Sequence, residues 1–226
     1  MMEYGTIISL ISAIVGWGFA GILLGTFKPS VSRNQFAILS TFFGLQQFAE
    51  FMTCTASMPF VWAALGFSVY SFIPALGLDA VVSRMGNRQM KILLYIIPII
   101  AMLFAILYPS FIEGTYCGTY ALQVKNFFDG NYTALALIFK TVYAAYFVGF
   151  LLAMMIYSIV KSLNSKSATY AISNLLISLG VLFSGALALL SILAWPGAGV
   201  MLPSILGHSM TILVVFGFFA CWIEER

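Results

Sequence analysis

Long apolar runs, interrupted at short intervals by small groups of polar residues, make up most of this chain. A helix that crosses a bilayer needs about 20 mostly apolar residues, because it rises ~1.5 Å per residue through a hydrocarbon layer about 30 Å thick. Seven stretches reach that length: 6–27, 35–54, 58–78, 91–112, 133–160, 169–194 and 200–222. Pro29, Gly86, Asn164 and the string Trp195-Pro196-Gly197 punctuate the connections with turn-forming residues. Only the segment Glu113–Tyr132 is expected to form a substantial loop. The pattern predicts an all-α, polytopic membrane protein, a single domain of seven transmembrane helices over residues 1–226.

Composition agrees with that reading. Hydrophobic residues are 62% of the sequence and charged residues 8%, against roughly 25% charged in a soluble domain. A soluble core of this size buries about 70–75% of the chain's surface, too little to hide so many apolar side chains. The first apolar stretch has no preceding Lys or Arg and no convincing cleavage site, so a retained helix is expected rather than a signal peptide.

Basic residues set the orientation. With the N-terminus outside, the cytoplasmic connections and the C-terminus hold Lys28, Arg33, Arg84, Arg88, Lys91, Lys161, Lys166 and Arg226. Only Lys125 stays outside, and Lys140 falls within a span. The expected topology is N-terminus out and C-terminus cytoplasmic. Trp62 and Trp195 then mark the outer interface and Trp222 the inner one. The net charge of +3 reports this topology and implies no nucleic-acid partner. Arg84, Arg88 and Lys91 are expected to meet anionic headgroups of the lipid bilayer.

Several residues suggest ordinary packing. Gly21 and Gly25, one turn apart, are expected to let helix one approach a neighbour closely. Pro74 and Pro98 are expected to kink helices three and four. Asp79, near the inner end of helix three, is expected to be solvated or paired with Arg84. Asn174, Ser178 and Ser184 are expected to bond between helices.

Ionisable side chains inside a span are expensive and mark a functional site by default. Glu50 stands in the run Phe43-Gly44-Leu45-Gln46-Gln47-Phe48-Ala49-Glu50-Phe51. With the topology above it lies roughly 9 Å from the outer end of helix two. Lys140 lies ~10 Å down helix five and His208, the only histidine, ~12 Å down helix seven. Three ionisable groups on three helices thus share one depth. They are expected to line an outward-facing polar cavity between helices two, five and seven. Gln46 precedes Glu50 by one turn, Gln47 adjoins it, and Thr53 and Cys54 continue that face. Tyr143 follows Lys140 by three residues, and Ser204 and Thr211 flank His208. Glu50 would accept a hydrogen bond as carboxylate or donate one as acid, with Lys140 as counter-charge and His208 as proton donor or acceptor. Each residue also has a plainer role: Lys140 snorkelling to the outer interface, His208 joining two helices, and Glu50 protonated on Gln46 or a backbone carbonyl.

Cys54 and Cys117 fall on the same outer, oxidising side, where a disulfide would staple the long loop over the bundle. Cys221 falls at the cytoplasmic end and would stay reduced. Asn131-Tyr132-Thr133 fits a glycosylation acceptor.

The string from Phe43 to Glu50 resembles the FGxQQxxEG signature in the second helix of a family of small, mostly bacterial multi-pass membrane proteins without an assigned activity. Phe43, Gly44, Gln46, Gln47 and Glu50 match. Phe51 stands where that family usually has glycine, and the family's Met-Cys-Phe-Ser start is absent. The resemblance implies a helix-rich membrane protein in which Glu50 is functional, and it names no substrate. Other seven-helix families lack their marks here. Helix seven has no lysine for retinal, one histidine cannot supply a zinc hydrolase site, and no Pro-Gln pair of the SWEET carriers occurs. Asp79 and Arg84 do not reproduce the Asp-Arg-Tyr motif of G-protein-coupled receptors.

The residues therefore predict a receptor-like sensor or binding protein of the cell membrane, with no cofactor and no metal. It would take a small polar ligand or a proton at Glu50, Lys140 and His208. With no output domain before Arg226, a sensor is expected to need a cytoplasmic signalling partner. The alternative is a small secondary transporter or proton-coupled carrier with Glu50 as the protonation site. The first and last three helices show no repeat of the kind many carriers have. No nucleophile–base set suggests an enzyme.

Overall fold

The computed structural model describes residues 4–82, 92–108, 110–118, 122–126, 133–194 and 198–225. Its helices are α1 (Tyr4–Thr26), α2 (Val31–Thr55), α3 (Pro59–Val82), α4 (Ile96–Leu107), α5 (Ala134–Leu163), α6 (Ala168–Ala194) and α7 (Ala198–Glu225). Two short strands, β1 (Ile112–Cys117) and β2 (Leu122–Asn126), lie between α4 and α5. The fold is all-α apart from this hairpin. Among the described residues, five helical segments are long and apolar enough to cross a membrane: Gly5–Thr26, Pro59–Val82, Ala136–Leu163, Ala168–Ser191 and Ser204–Glu225. At 25 residues α2 has the length, but its polar side chains lower its hydropathy. The apolar helix Ile92–Leu107 is shorter than a full span.

Local chemistry explains where several helices begin. The Ser30 side chain accepts the Arg33 backbone N–H at 3.1 Å and caps α2. Thr133 caps α5 by accepting Ala136 N–H. Such caps satisfy donors that the first helical turn leaves open. Within α3, Pro74 removes one rung of the backbone ladder. Nearby, the Tyr146 hydroxyl from α5 donates to Ser71 C=O at 2.6 Å, one turn before Pro74.

Two expectations about the elements change. The span expected over 91–112 is shorter: a turn at Tyr95 interrupts it, and strand β1 opens at Ile112. The segment read as a loop contains an antiparallel hairpin, pairing Gly114 with Lys125, Thr115 with Val124, Tyr116 with Gln123 and Cys117 with Leu122. Cys117 is disulfide-bonded to Cys54 at the end of α2, across a sequence separation of 63 residues. The bond fastens the hairpin against the bundle. Cys221 is a buried thiol at the opposite end of the molecule.

The core gathers Phe36, Phe43, Ile73, Met154, Ile177, Met210 and Leu213 from α2, α3, α5, α6 and α7. Against expectation, Gly21 and Gly25 are not where helix one packs closely: both face open space. The close approach is one to two turns earlier. A Cβ on Gly16 would stand 2.9 Å from Phe43 and 3.1 Å from the Gly44 Cα. A Cβ on Gly44 would stand 2.6 Å from the Trp17 ring. These two glycines let the α1 and α2 backbones approach. Lys28, Arg33, Lys161 and Lys166 lie at the ends of α1, α2, α5 and α6 remote from the hairpin, which carries Lys125. Arg84, Arg88, Lys91, Trp195, the Asn131 acceptor and Arg226 lie outside the described residues.

Candidate functional site

The site is built on the polar face of α2. Gln46, Gln47, Glu50 and Thr53 are all buried, with Glu50 only 7% exposed. They stay hidden because α1, α3 and α7 enclose α2 on its polar side. From α1, Ser9 places its hydroxyl 3.2 Å from Glu50 Oε2, and the same hydroxyl lies 3.1 Å from Gly5 C=O. From α7, the Ser204 side chain faces the Glu50 carboxylate as a neutral donor, and within α2 so does Gln46. Ser204 Oγ also accepts the Leu122 backbone N–H from β2 at 3.2 Å.

His208 joins this group through the two glutamines. Gln47 Nε2 donates to Gln46 Oε1 at 2.6 Å, which turns Gln47 Oε1 toward His208 Nδ1, 2.9 Å away. An amide oxygen only accepts, so His208 Nδ1 carries the proton. Gln46, accepting through its oxygen, has its nitrogen free to donate to Glu50. The donors therefore run in one direction, from His208 through Gln47 and Gln46 to Glu50. That polarity suits a carboxylate as the terminal acceptor. It leaves the other imidazole nitrogen, Nε2, buried without a protein partner. Gly207 is what lets α7 come so near: a Cβ there would meet Gln47 Nε2 at 2.8 Å and Gln46 Nε2 at 3.0 Å.

A cavity of about 60 Å³ opens beside Glu50, room for a few waters or a small solute. Gln46, Glu50 and Thr53 supply its polar wall, and Trp62, Phe67 and Tyr70 from α3 supply aromatic faces. Leu122, Val124 and Asn126 of β2 complete the lining. The Tyr70 hydroxyl is buried and has no protein partner. The cavity thus lies between α2, α3 and the hairpin, rather than between helices two, five and seven.

Lys140 does not join the site. It is exposed on α5, a helix that packs on α3 and α6 and lies apart from α2 and α7. Equal depth brought it into the expectation, but depth says nothing about which way a helix face turns. Tyr143 is also elsewhere: its hydroxyl is 2.9 Å from Ser71 Oγ, and its ring stacks on Phe67 and Phe139. Asp79 is buried instead of solvated, and its Oδ2 accepts the Tyr95 hydroxyl at 3.0 Å. Ser184 and Ser178 bond between helices, to Ser209 C=O and Met155 C=O, and Asn174 Nδ2 donates to Tyr170 C=O within α6.

Sequence reasoning passed over Ser9, Trp62 and Tyr70 as site residues. Ser9 sits in a strongly apolar helix, where a lone serine ordinarily bonds its own backbone. Trp62 was legible as an interfacial anchor, and Tyr70 carries no local signal. No known protein family, curated protein or solved structure matches the chain.

Proposed function

We propose that the protein is a receptor-like, multi-pass protein of the cell membrane that binds a small polar solute at Glu50 from the outer side. One observation carries this reading: a carboxylate 93% buried in an apolar bundle, held by donors from α1, α2 and α7, beside a small cavity under the hairpin. Charge buried in this way is retained for function more often than for stability. The two ends of the molecule support the orientation. Four of the described basic residues lie at the end opposite the disulfide, as expected of a cytoplasmic face and an oxidising outer face. Lys140, exposed in the outer part of α5, has a stem long enough to carry its ammonium to the headgroup layer.

The arrangement suggests how binding would be felt. Ser204 joins two partners, the Glu50 carboxylate and the Leu122 amide of the roof. A solute that donates hydrogen bonds to Glu50 competes with the Ser204 hydroxyl for the carboxylate, and so acts on the side chain whose oxygen holds the Leu122 amide. The thermal unfolding of the purified protein tests the reading with a panel of small amines, amides and carboxylates. At a hundredfold excess over its dissociation constant, a bound solute stabilises the folded state by about 2.7 kcal/mol. One class is expected to raise the melting temperature of the wild type and not of Glu50→Gln. If no member of the panel acts through Glu50, the reading fails.

A proton-coupled carrier is the second reading, favoured by Asp79, a second buried carboxylate toward the other end of α3. Proton flux into vesicles that is lost in Glu50→Gln would select it.

A further inference from the structure

We infer that the cavity at Glu50 takes a small organic cation, an alkylammonium of a few non-hydrogen atoms; the inference rests on Glu50 as the binding group and narrows the solute to one class. The first ground is charge. The hydrogen bonds around Glu50 all come from neutral donors: Ser9, Ser204 and Gln46. His208, the basic side chain of this group, meets Gln47 through Nδ1 and does not bond to the carboxylate itself, and its Nε2 has no protein partner. A buried carboxylate whose direct contacts are neutral donors is best completed by a cation.

The second ground is the wall. Trp62, Phe67 and Tyr70 line the same cavity as the carboxylate, and aromatic faces attract ammonium groups through the ring quadrupole. A hydrated metal ion gains little from such a wall, whereas the methyl groups of an alkylammonium pack against it. The third ground is the supply of acceptors. Tyr70 is 95% buried and lines the cavity, and its hydroxyl has no protein partner. Thr53 spends its proton on Ala49 C=O at 2.7 Å, leaving its oxygen lone pairs to accept. An ammonium brings several donors and accepts nothing, which matches the carboxylate, the Thr53 oxygen and the Tyr70 oxygen. An anion would face Glu50, and a neutral amide would leave the charge uncompensated.

The test is calorimetric titration of the purified full chain in lipid nanodiscs. Methylammonium chloride and tetramethylammonium chloride are compared with sodium acetate, acetamide and sodium chloride at one ionic strength. Saturable binding of the two ammonium salts alone is the expected result. Glu50→Gln should weaken it at least tenfold, and Trp62→Leu at least threefold. Tyr70→Phe deletes a hydroxyl without a protein partner, so its fold is preserved, and it should weaken methylammonium while sparing tetramethylammonium, which has no N–H to donate. Binding of acetate or acetamide in place of the ammonium salts overturns the cation and leaves Glu50 as a binding group. Sodium binding as tightly as methylammonium, or Trp62→Leu without effect, overturns the organic class. If nothing in the series depends on Glu50, both the cation and the binding site fail.

Discussion

At the scale of single residues, the informative feature is the direction of a hydrogen-bond chain. Gln47 is fully buried and hydrogen-bonds to both Gln46 and His208. Replacing it with leucine keeps most of the volume but strands His208 Nδ1 and Gln46 Oε1 in a buried site. Each stranded group costs about 1–3 kcal/mol. Gln47→Leu is therefore expected to lower stability by roughly 2–5 kcal/mol in a denaturant titration. A change within 0.5 kcal/mol, the range of an ordinary surface substitution, would show that the chain is not formed. Much of this group was legible beforehand, because an ionisable or amide side chain in an apolar run is conspicuous without any coordinates. Its partners were less so. Ser9 and Tyr70 matter through their position across an interface, and a serine or tyrosine in a span is ordinary by itself. Lys140 shows the same limit in reverse: it is conspicuous in sequence and at the right depth, yet it is carried on a face that turns elsewhere.

At the scale of elements, α2 combines low hydropathy with burial, and its neighbours make that possible. Gly16 and Gly44 bring α1 against it, and Gly207 brings in α7. The glycine in the Phe43–Glu50 string thus has a steric role separate from the glutamines and the carboxylate that follow it. Gly44→Ala is expected to cost about 1–3 kcal/mol, since a Cβ 2.6 Å from the Trp17 ring must push α1 away. Gly21→Ala, facing open space, should stay within about 0.5 kcal/mol of the wild type. Equal losses in parallel unfolding titrations would contradict the observed crossing. Spacing alone favoured the Gly21–Gly25 pair, because a small-residue motif looks the same whether it faces a helix or the exterior. The hairpin was missed for a related reason. Strands of five and six residues give a weak alternating pattern, and their ties to the bundle, the distant Cys54 and the Ser204 hydroxyl among them, leave no local signal.

At the scale of the whole molecule, the ends differ in chemistry. One carries Lys28, Arg33, Lys161 and Lys166, and the other carries the disulfide and the Glu113–Lys125 ion pair at 2.9 Å. The proposed orientation predicts that Glu113→Cys reacts with a membrane-impermeant maleimide on intact cells. Lys166→Cys should react only after permeabilisation. Both side chains are exposed, so access to the compartment is what the labelling reads. Labelling in the reverse order would invert the topology and put the Glu50 cavity on the cytoplasmic side. The five long apolar helices were legible because hydropathy reports each such segment by itself; α2, with its polar face, and the short α4 do not meet that measure. How those segments turn about their own axes depends on contacts between them, and no single segment records it.

The bond from the Leu122 amide to Ser204 Oγ gives the protein a natural reporter. The amide belongs to the roof and its acceptor to α7, so its exchange with solvent deuterium depends on their staying together. Ser204 also faces the Glu50 carboxylate, which draws its hydroxyl proton. Isotope uptake at this one backbone position should therefore follow what happens at the buried carboxylate. Glu50→Gln, which leaves a weaker neutral acceptor, is expected to speed exchange at Leu122 and leave the paired amides of the rest of the hairpin unchanged.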